Sequence, residues 1–151
     1  GGGWVVSAPG RGRVLVIDAG GAVERTVMSE ATGVVRPFGV AALAGGRIAV
    51  SDRASDEFVV IDRNDEVVAR GGERGSWDGA LWMPAGLEFL PDGGLVVLDQ
   101  GNHRAQVFDP ESGSWRISFS LGQGHDRPLL LRSDFEPEAE DDADSGSEES
   151  K

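Results

Sequence analysis

The stretch LDQGNHRAQVFD, Leu98–Asp109, gathers the residue types of acid–base and metal chemistry most closely, with Asp99, Asn102, His103 and Arg104 side by side. An imidazole in such company would serve as a general base or as a metal ligand. The spacing opposes both uses, because it places no second histidine and no further carboxylate with His103. The triplet reads instead as a structural corner. Asp99 and Asn102 would accept backbone hydrogen bonds in the turn, while Arg104 packs its stem and pairs locally.

Four further residues invite a functional reading. Glu88 stands between Leu87 and Phe89 on an expected strand, and alternation places it on the opposite face, toward a central channel or an arginine. A buried carboxylate without a partner is costly, so a partner is expected, and a single Glu is too few oxygen ligands for a hard cation. His125, in GQGHDRP, is a candidate for a ligand mouth, weighed against a plain solvated histidine beside Asp126. Trp77 and Trp82 lie on a long connector where they would anchor a partner, although core packing is the favoured reading for both and for Trp115. No GxSxG, HExxH, phosphate-cradling or EF-hand pattern is present. No catalytic, metal or cofactor-binding residue is therefore assigned, and no cofactor is expected.

The elements that position these residues recur. RIAVSDRASDEFVVID (Arg47–Asp62) lies over LVVLDQGNHRAQVFD (Leu95–Asp109), with Asp52 matching Asp99 and Asp62 matching Asp109 at a separation of 47. Pro37 matches Pro84 and Gly39 matches Gly86 at the same offset, and WVVSAPGRGRVLVID (Trp4–Asp18) fits over Ile48–Asp62 at 44. Each copy is built of short Val-, Ile- and Phe-rich runs broken by Gly, Pro or Asp, the pattern of antiparallel strands. Strands are expected near 38–43, 47–52, 58–63 and 67–72, then near 85–90, 94–99, 104–109 and 114–120. The first copy lacks its opening strand and supplies three, near 3–8, 13–18 and 23–29, and no helix is needed.

Four strands per repeat of this length make an all-β chain, a β-propeller of four-stranded antiparallel blades, partial at about three blades. Runs such as VLVI and FVVI suit strands covered on both faces. The connections LAGGR and LPDGG use Gly45-Gly46 and Asp92-Gly93 because tight hairpins need a positive φ that glycine adopts freely.

With these residues in view, DQGNHRAQVFD resembles the asparagine–histidine corner of NHL repeats, and GERGSWDGALWMPAGLEFLPDGGLVVLD (Gly72–Asp99) is similar to the family's glycine-rich connector and its first two strands. The copies SDRASDEFVVID and SAPGRGRVLVID lack the Asn-His pair. The resemblance implies a propeller, commonly six-bladed, that serves as a non-catalytic protein-interaction or ligand-sensing platform. One alternative is a fragment of a propeller enzyme, of the metal-dependent lyase or lactonase type, with most channel ligands in other blades. Another is the extracellular sensor domain of a membrane receptor. An arc of three blades leaves two apolar faces to cover. Blades lying upstream of Gly1 are the favoured cover, and assembly of two copies into one ring is the alternative, for which RPLLLR (Arg127–Arg132) resembles a further opening strand.

Charge divides the chain. Residues 1–133 carry 13 arginines against 17 acids, whereas 134–151 carry one lysine against nine, which together give the net −12. Neither part is basic, so nucleic acid is an improbable partner, and a protein or small ligand at a propeller face is expected instead. Residues 1–132 are expected to hold the blades and 133–151 a disordered acidic tail. The chain has no cysteine, hence no disulfide and no thiolate metal site. No apolar run reaches the length of a membrane helix, and nothing here separates a cytoplasmic from an exported protein. Abundant Arg, Ala and Gly beside one Lys suggest a GC-rich bacterial gene.

Overall fold

The computed structural model describes residues 2–43 and 45–121. His125, the Arg127–Arg132 segment and the acidic tail lie outside the described residues.

Among the described residues, eleven strands form three antiparallel sheets. The first holds β1 (Trp4–Ala8), β2 (Arg13–Ile17) and β3 (Val23–Met28) in that order. The second holds β4 (Pro37–Leu43), β5 (Arg47–Asp52), β6 (Glu57–Ile61) and β7 (Val67–Gly71), and the third β8 (Pro84–Phe89), β9 (Leu95–Asp99), β10 (Arg104–Phe108) and β11 (Trp115–Ser120). Among the described residues each strand pairs only with its sequence neighbours, the meander of a propeller blade. β1 lies against β4, and β4 against β8, so the sheets succeed one another as an arc of a partial β-propeller. Because β1 aligns with β5, the strand missing from the first sheet is the innermost one. Short helical turns occur where none was expected: Ser29–Thr32, and the three-residue turns Pro9–Arg11 and Gln100–Asn102.

The hairpins form where glycine permits. Gly45, Gly46 and Gly93 have φ of 90, 80 and 84°. The three copies share a second backbone device at the corner joining their aligned second and third strands: Gly12, Asp56 and His103 are all left-handed, with φ of 57, 57 and 53°. Single residues of this conformation reverse the chain there.

Two apolar layers bind the sheets. Val14, Val27, Ile48, Val50, Val59 and Ile61 fill the space between the first and second. Ala49, Phe58, Val60, Leu87, Val97 and Phe108 are among those filling it between the second and third, where the Phe58 and Phe108 rings meet edge to face at 4.8 Å. Full burial of each such ring contributes about 1.5–3 kcal/mol. The run FVVI in β6 is buried on both faces as its sequence suggests. VLVI in β2 is not: Val14 is buried, but Leu15, Val16 and Ile17 are half-exposed. Leu15 and Ile17 face outward from the sheet at the end of the arc, which has a neighbouring sheet on one side among the described residues, and Val16 lines an open groove between the first two sheets.

Candidate functional site

Buried polar groups hold the rim of the arc at repeated positions. Asp52 accepts from the backbone N–H of Val35 at 2.8 Å and of Arg36 at 2.9 Å, and Asp99 accepts from that of Trp82 at 2.7 Å. Asp52 to Val35 and Asp99 to Trp82 span the same 17 residues. Each carboxylate thus pins the lead-in to the inner strand of its own sheet. Ser7 donates to the Phe38 carbonyl at 2.7 Å, and its counterpart Ser51 donates to the Ala85 carbonyl at 2.6 Å, tying neighbouring sheets together. At the opposite end, Asp18, Asp62 and Asp109 each accept backbone N–H groups in the turn before the last strand. The Arg116 hydrogen bond, then the backbone N–H of Glu111, lower the Asp109 pKa to about 2. Backbone N–H groups of Glu66 and Asn64 chiefly lower that of Asp62.

The corner at Asn102–Arg104 has the following geometry. Asp99 is wholly buried and accepts from Arg104 Nε at 2.7 Å, Asn102 Nδ2 at 2.8 Å and Gln106 Nε2 at 3.1 Å. Arg104 also donates to the carbonyls of Trp77 and Ala80, and Gln106 accepts from the Gly79 N–H at 3.0 Å, so β10 grips the connector. Asn102 acts in the opposite sense to that expected from sequence. It donates, to Asp99 and to the Gly75 carbonyl at 2.8 Å, rather than accepting in the turn. The His103 ring is exposed and makes no hydrogen bond among the described residues, while its backbone N–H bonds the Gln100 carbonyl at 3.2 Å and its carbonyl receives the Leu121 N–H at 3.0 Å.

Trp77 and Trp82 are exposed, at 57 and 48%, and Trp115 at 40%, in place of the core packing favoured from sequence. The connector buries Leu81 and Ala80 instead. The indoles lie over bare backbone: a side chain at Gly75 would overlap the Trp77 ring, and one at Gly101 the Trp82 ring. Glu88 is half-buried, pairs across the sheet with Val96, and has no hydrogen bond or ion pair among the described residues. It lies on the outward face of the last sheet, opposite to buried Leu87 and Phe89, so the expected charged partner is absent among the described residues. Partial exposure to water reduces the cost that made a partner seem necessary.

Sequence reasoning missed two features. Asp56, at the repeat position of His103, is buried, binds the Met83 N–H at 2.8 Å and pairs with Arg74 Nε at 2.6 Å, which fastens the second sheet to the next connector. Its matched left-handed corner was the available signal. The second is an exposed cluster on the rim. The Arg53 guanidinium stacks 3.5 Å above the Phe38 ring, donates through Nε to the Pro84 carbonyl at 3.1 Å, and meets Gln100. Gly101 in turn donates to the Trp82 carbonyl at 2.8 Å. Phe38, Trp82 and Met83 are all exposed. Burial, and next the charge of Arg36, push the Arg53 pKa below its ordinary value, while Arg36 itself has no hydrogen-bond or ion-pair partner for its guanidinium among the described residues. Two cations and three large apolar side chains therefore share one exposed edge of an acidic chain.

Elsewhere, an open groove of about 500 Å³ lies between the first two sheets, lined by Val5, Val16, Ala42 and Leu43 among others. Among the described residues no three His, Asp or Glu side chains come together as a metal site, and no helix is long and apolar enough to cross a membrane. No family model matches the chain, and no curated protein does. Among solved structures it is similar to BamB from Moraxella catarrhalis, a β-propeller, at 18% identity and a TM-score of 0.57 over 87% of this chain. The chain spans 38% of the length of that protein. A protein of unknown function from Bacteroides caccae matches over 78% of this chain and 57% of its own, at 13% identity and a TM-score of 0.40. The first of these likenesses, together with the three meander sheets, identifies the fold as a partial β-propeller.

Proposed function

We propose that this chain is a non-catalytic, NHL-like propeller module that serves as an interaction platform, with its partner-binding surface at the rim around Arg53. The observation that carries the reading is the contiguous exposure of Phe38, Trp82 and Met83 beside Arg53 and Arg36. Aromatic residues, Met and Arg are the types enriched in protein interfaces. Backbone anchors from Asp52, Asp56 and Asp99 hold their lead-in segments, so little ordering entropy remains to be lost on binding. The matching partner is a protein segment that presents carboxylates beside apolar side chains, because the cluster offers two cations over an apolar floor.

The test is selection of binders from a displayed peptide library against the immobilised chain, followed by titration of a selected peptide. Arg53→Ala and Trp82→Ala are expected to weaken binding at least about tenfold, the loss of one interface anchor. Trp115→Ala serves as a control on another surface. Selected acidic–apolar peptides that bind both rim variants as tightly as the parent would refute the assignment.

A further inference from the structure

The two ends of the arc are unlike each other, and each lacks what the other supplies. On the outward face of the first sheet, Trp4 and Val6 of β1 and Val23 of β3 are exposed, with Leu15 and Ile17 half-exposed between them. On the outward face of the last sheet, the cross-strand row Glu88–Val96–Val107–Ile117 runs beside Leu98–Ala105–Phe119. Its outer half is open, with Ile117 at 46% and Phe119 at 51% exposure. One charge stands on each face, Arg13 on the first and Glu88 on the last. They are opposite in sign, and neither has an ion-pair partner among the described residues.

The strand edges show the same offset. β1 pairs with β2 along one edge, and its other edge faces the place that β4 and β8 occupy in their own sheets, as innermost strands. Those two strands begin at Pro37 and Pro84. An edge left unpaired among the described residues, beside an apolar face, is a template for strand addition.

We propose that a second copy of this chain covers the first sheet: the copy's last sheet packs on the outward face of Trp4, Val6 and Ile17, beside the edge of β1 that is unpaired among the described residues. The reciprocal contact closes a ring of two arcs. Each contact is heterologous, joining two different surfaces, and such contacts end in a closed ring when the rotation completes a turn. Closure buries both apolar faces and brings the two unpaired charges to the same pair of junctions.

Sedimentation equilibrium of the full chain at micromolar concentration is the test. The expected species has twice the 15.9 kDa of one chain. Trp4→Glu and Phe119→Glu place a carboxylate at exposed sites that a separate arc tolerates, and each is expected to halve the mass while the β circular dichroism spectrum is kept. Trp115→Glu, on the other face of the last sheet, is expected to remain dimeric. A folded parent that sediments as a single chain overturns the proposal and leaves the faces to other blades of a longer polypeptide. An open series of larger species overturns the two-copy ring.

Discussion

Asp99→Ala separates architecture from chemistry at the Asn102–Arg104 corner. The wholly buried carboxylate holds four donors: the Trp82 backbone N–H, Asn102, Arg104 and Gln106. Arg104 is 13% exposed, so losing its counter-ion leaves a nearly buried cation short of charge, which costs about 3–5 kcal/mol for a pair of this kind. The carbonyls of Trp77 and Ala80 still solvate the guanidinium and place the expected loss near the lower end, about 3 kcal/mol. That is a large part of the roughly 5–15 kcal/mol that stabilises an ordinary domain. It corresponds to a fall of about 9–12 °C in Tm for a domain of this size. Urea unfolding followed by circular dichroism measures the loss, and the Asp99→Ala/Arg104→Ala cycle isolates the pair, with an expected coupling of about 1.5–3 kcal/mol. A loss below about 1 kcal/mol with coupling near zero would refute the account of Asp99 as the centre of the corner.

At His103, whose left-handed backbone is better suited to glycine, His103→Gly is expected to raise the urea midpoint by about 0.5–1 kcal/mol of stability and His103→Ala to lower it; loss of peptide binding at unchanged stability would reassign the ring to recognition. Leu81→Ala, at a fully buried connector position, is expected to cost about 2–5 kcal/mol, whereas Trp77→Ala, on the same connector but exposed, stays within about 1 kcal/mol; equal losses in thermal melts would contradict the anchoring role of Leu81. Asp109 has a folded pKa of about 2, below its ordinary 3.8, so its contribution to stability is complete above the ordinary value and is lost as pH falls toward 2. Asp109→Asn is therefore expected to unfold more easily than the parent at neutral pH and to approach it in acid; a gap in urea midpoints as wide at pH 2 as at pH 7 would exclude this linkage.

The architecture was legible because repetition and turn chemistry say the same thing. Asp52 and Asp99 recur at one offset, and each closes a bond 17 residues back, to Val35 and Trp82. Gly45-Gly46 and Asp92-Gly93 mark the hairpins that turn β4 into β5 and β8 into β9. Side-chain direction was harder to read, because it depends on what lies alongside. Leu15 and Ile17 look as deeply set as Val59 and Ile61, yet they differ in having no sheet on their outward side among the described residues. Asn102 carries both donors and an acceptor, and its choice of the Gly75 carbonyl follows from a connector 27 residues away. The stacking of Arg53 on Phe38 and the outward indoles of Trp77 and Trp82 depend in the same way on how the connectors are laid, which local pattern does not encode.

The corner shared by Gly12, Asp56 and His103 has a consequence for how such a protein changes. There the main chain does the turning, and the three copies fit the same bend with no side chain, with a carboxylate that grips the neighbouring connector, and with an imidazole open to water. Each corner is a socket whose tool can be exchanged while the frame stays in place. The side chain at this address can therefore differ from blade to blade while the backbone bend stays the same.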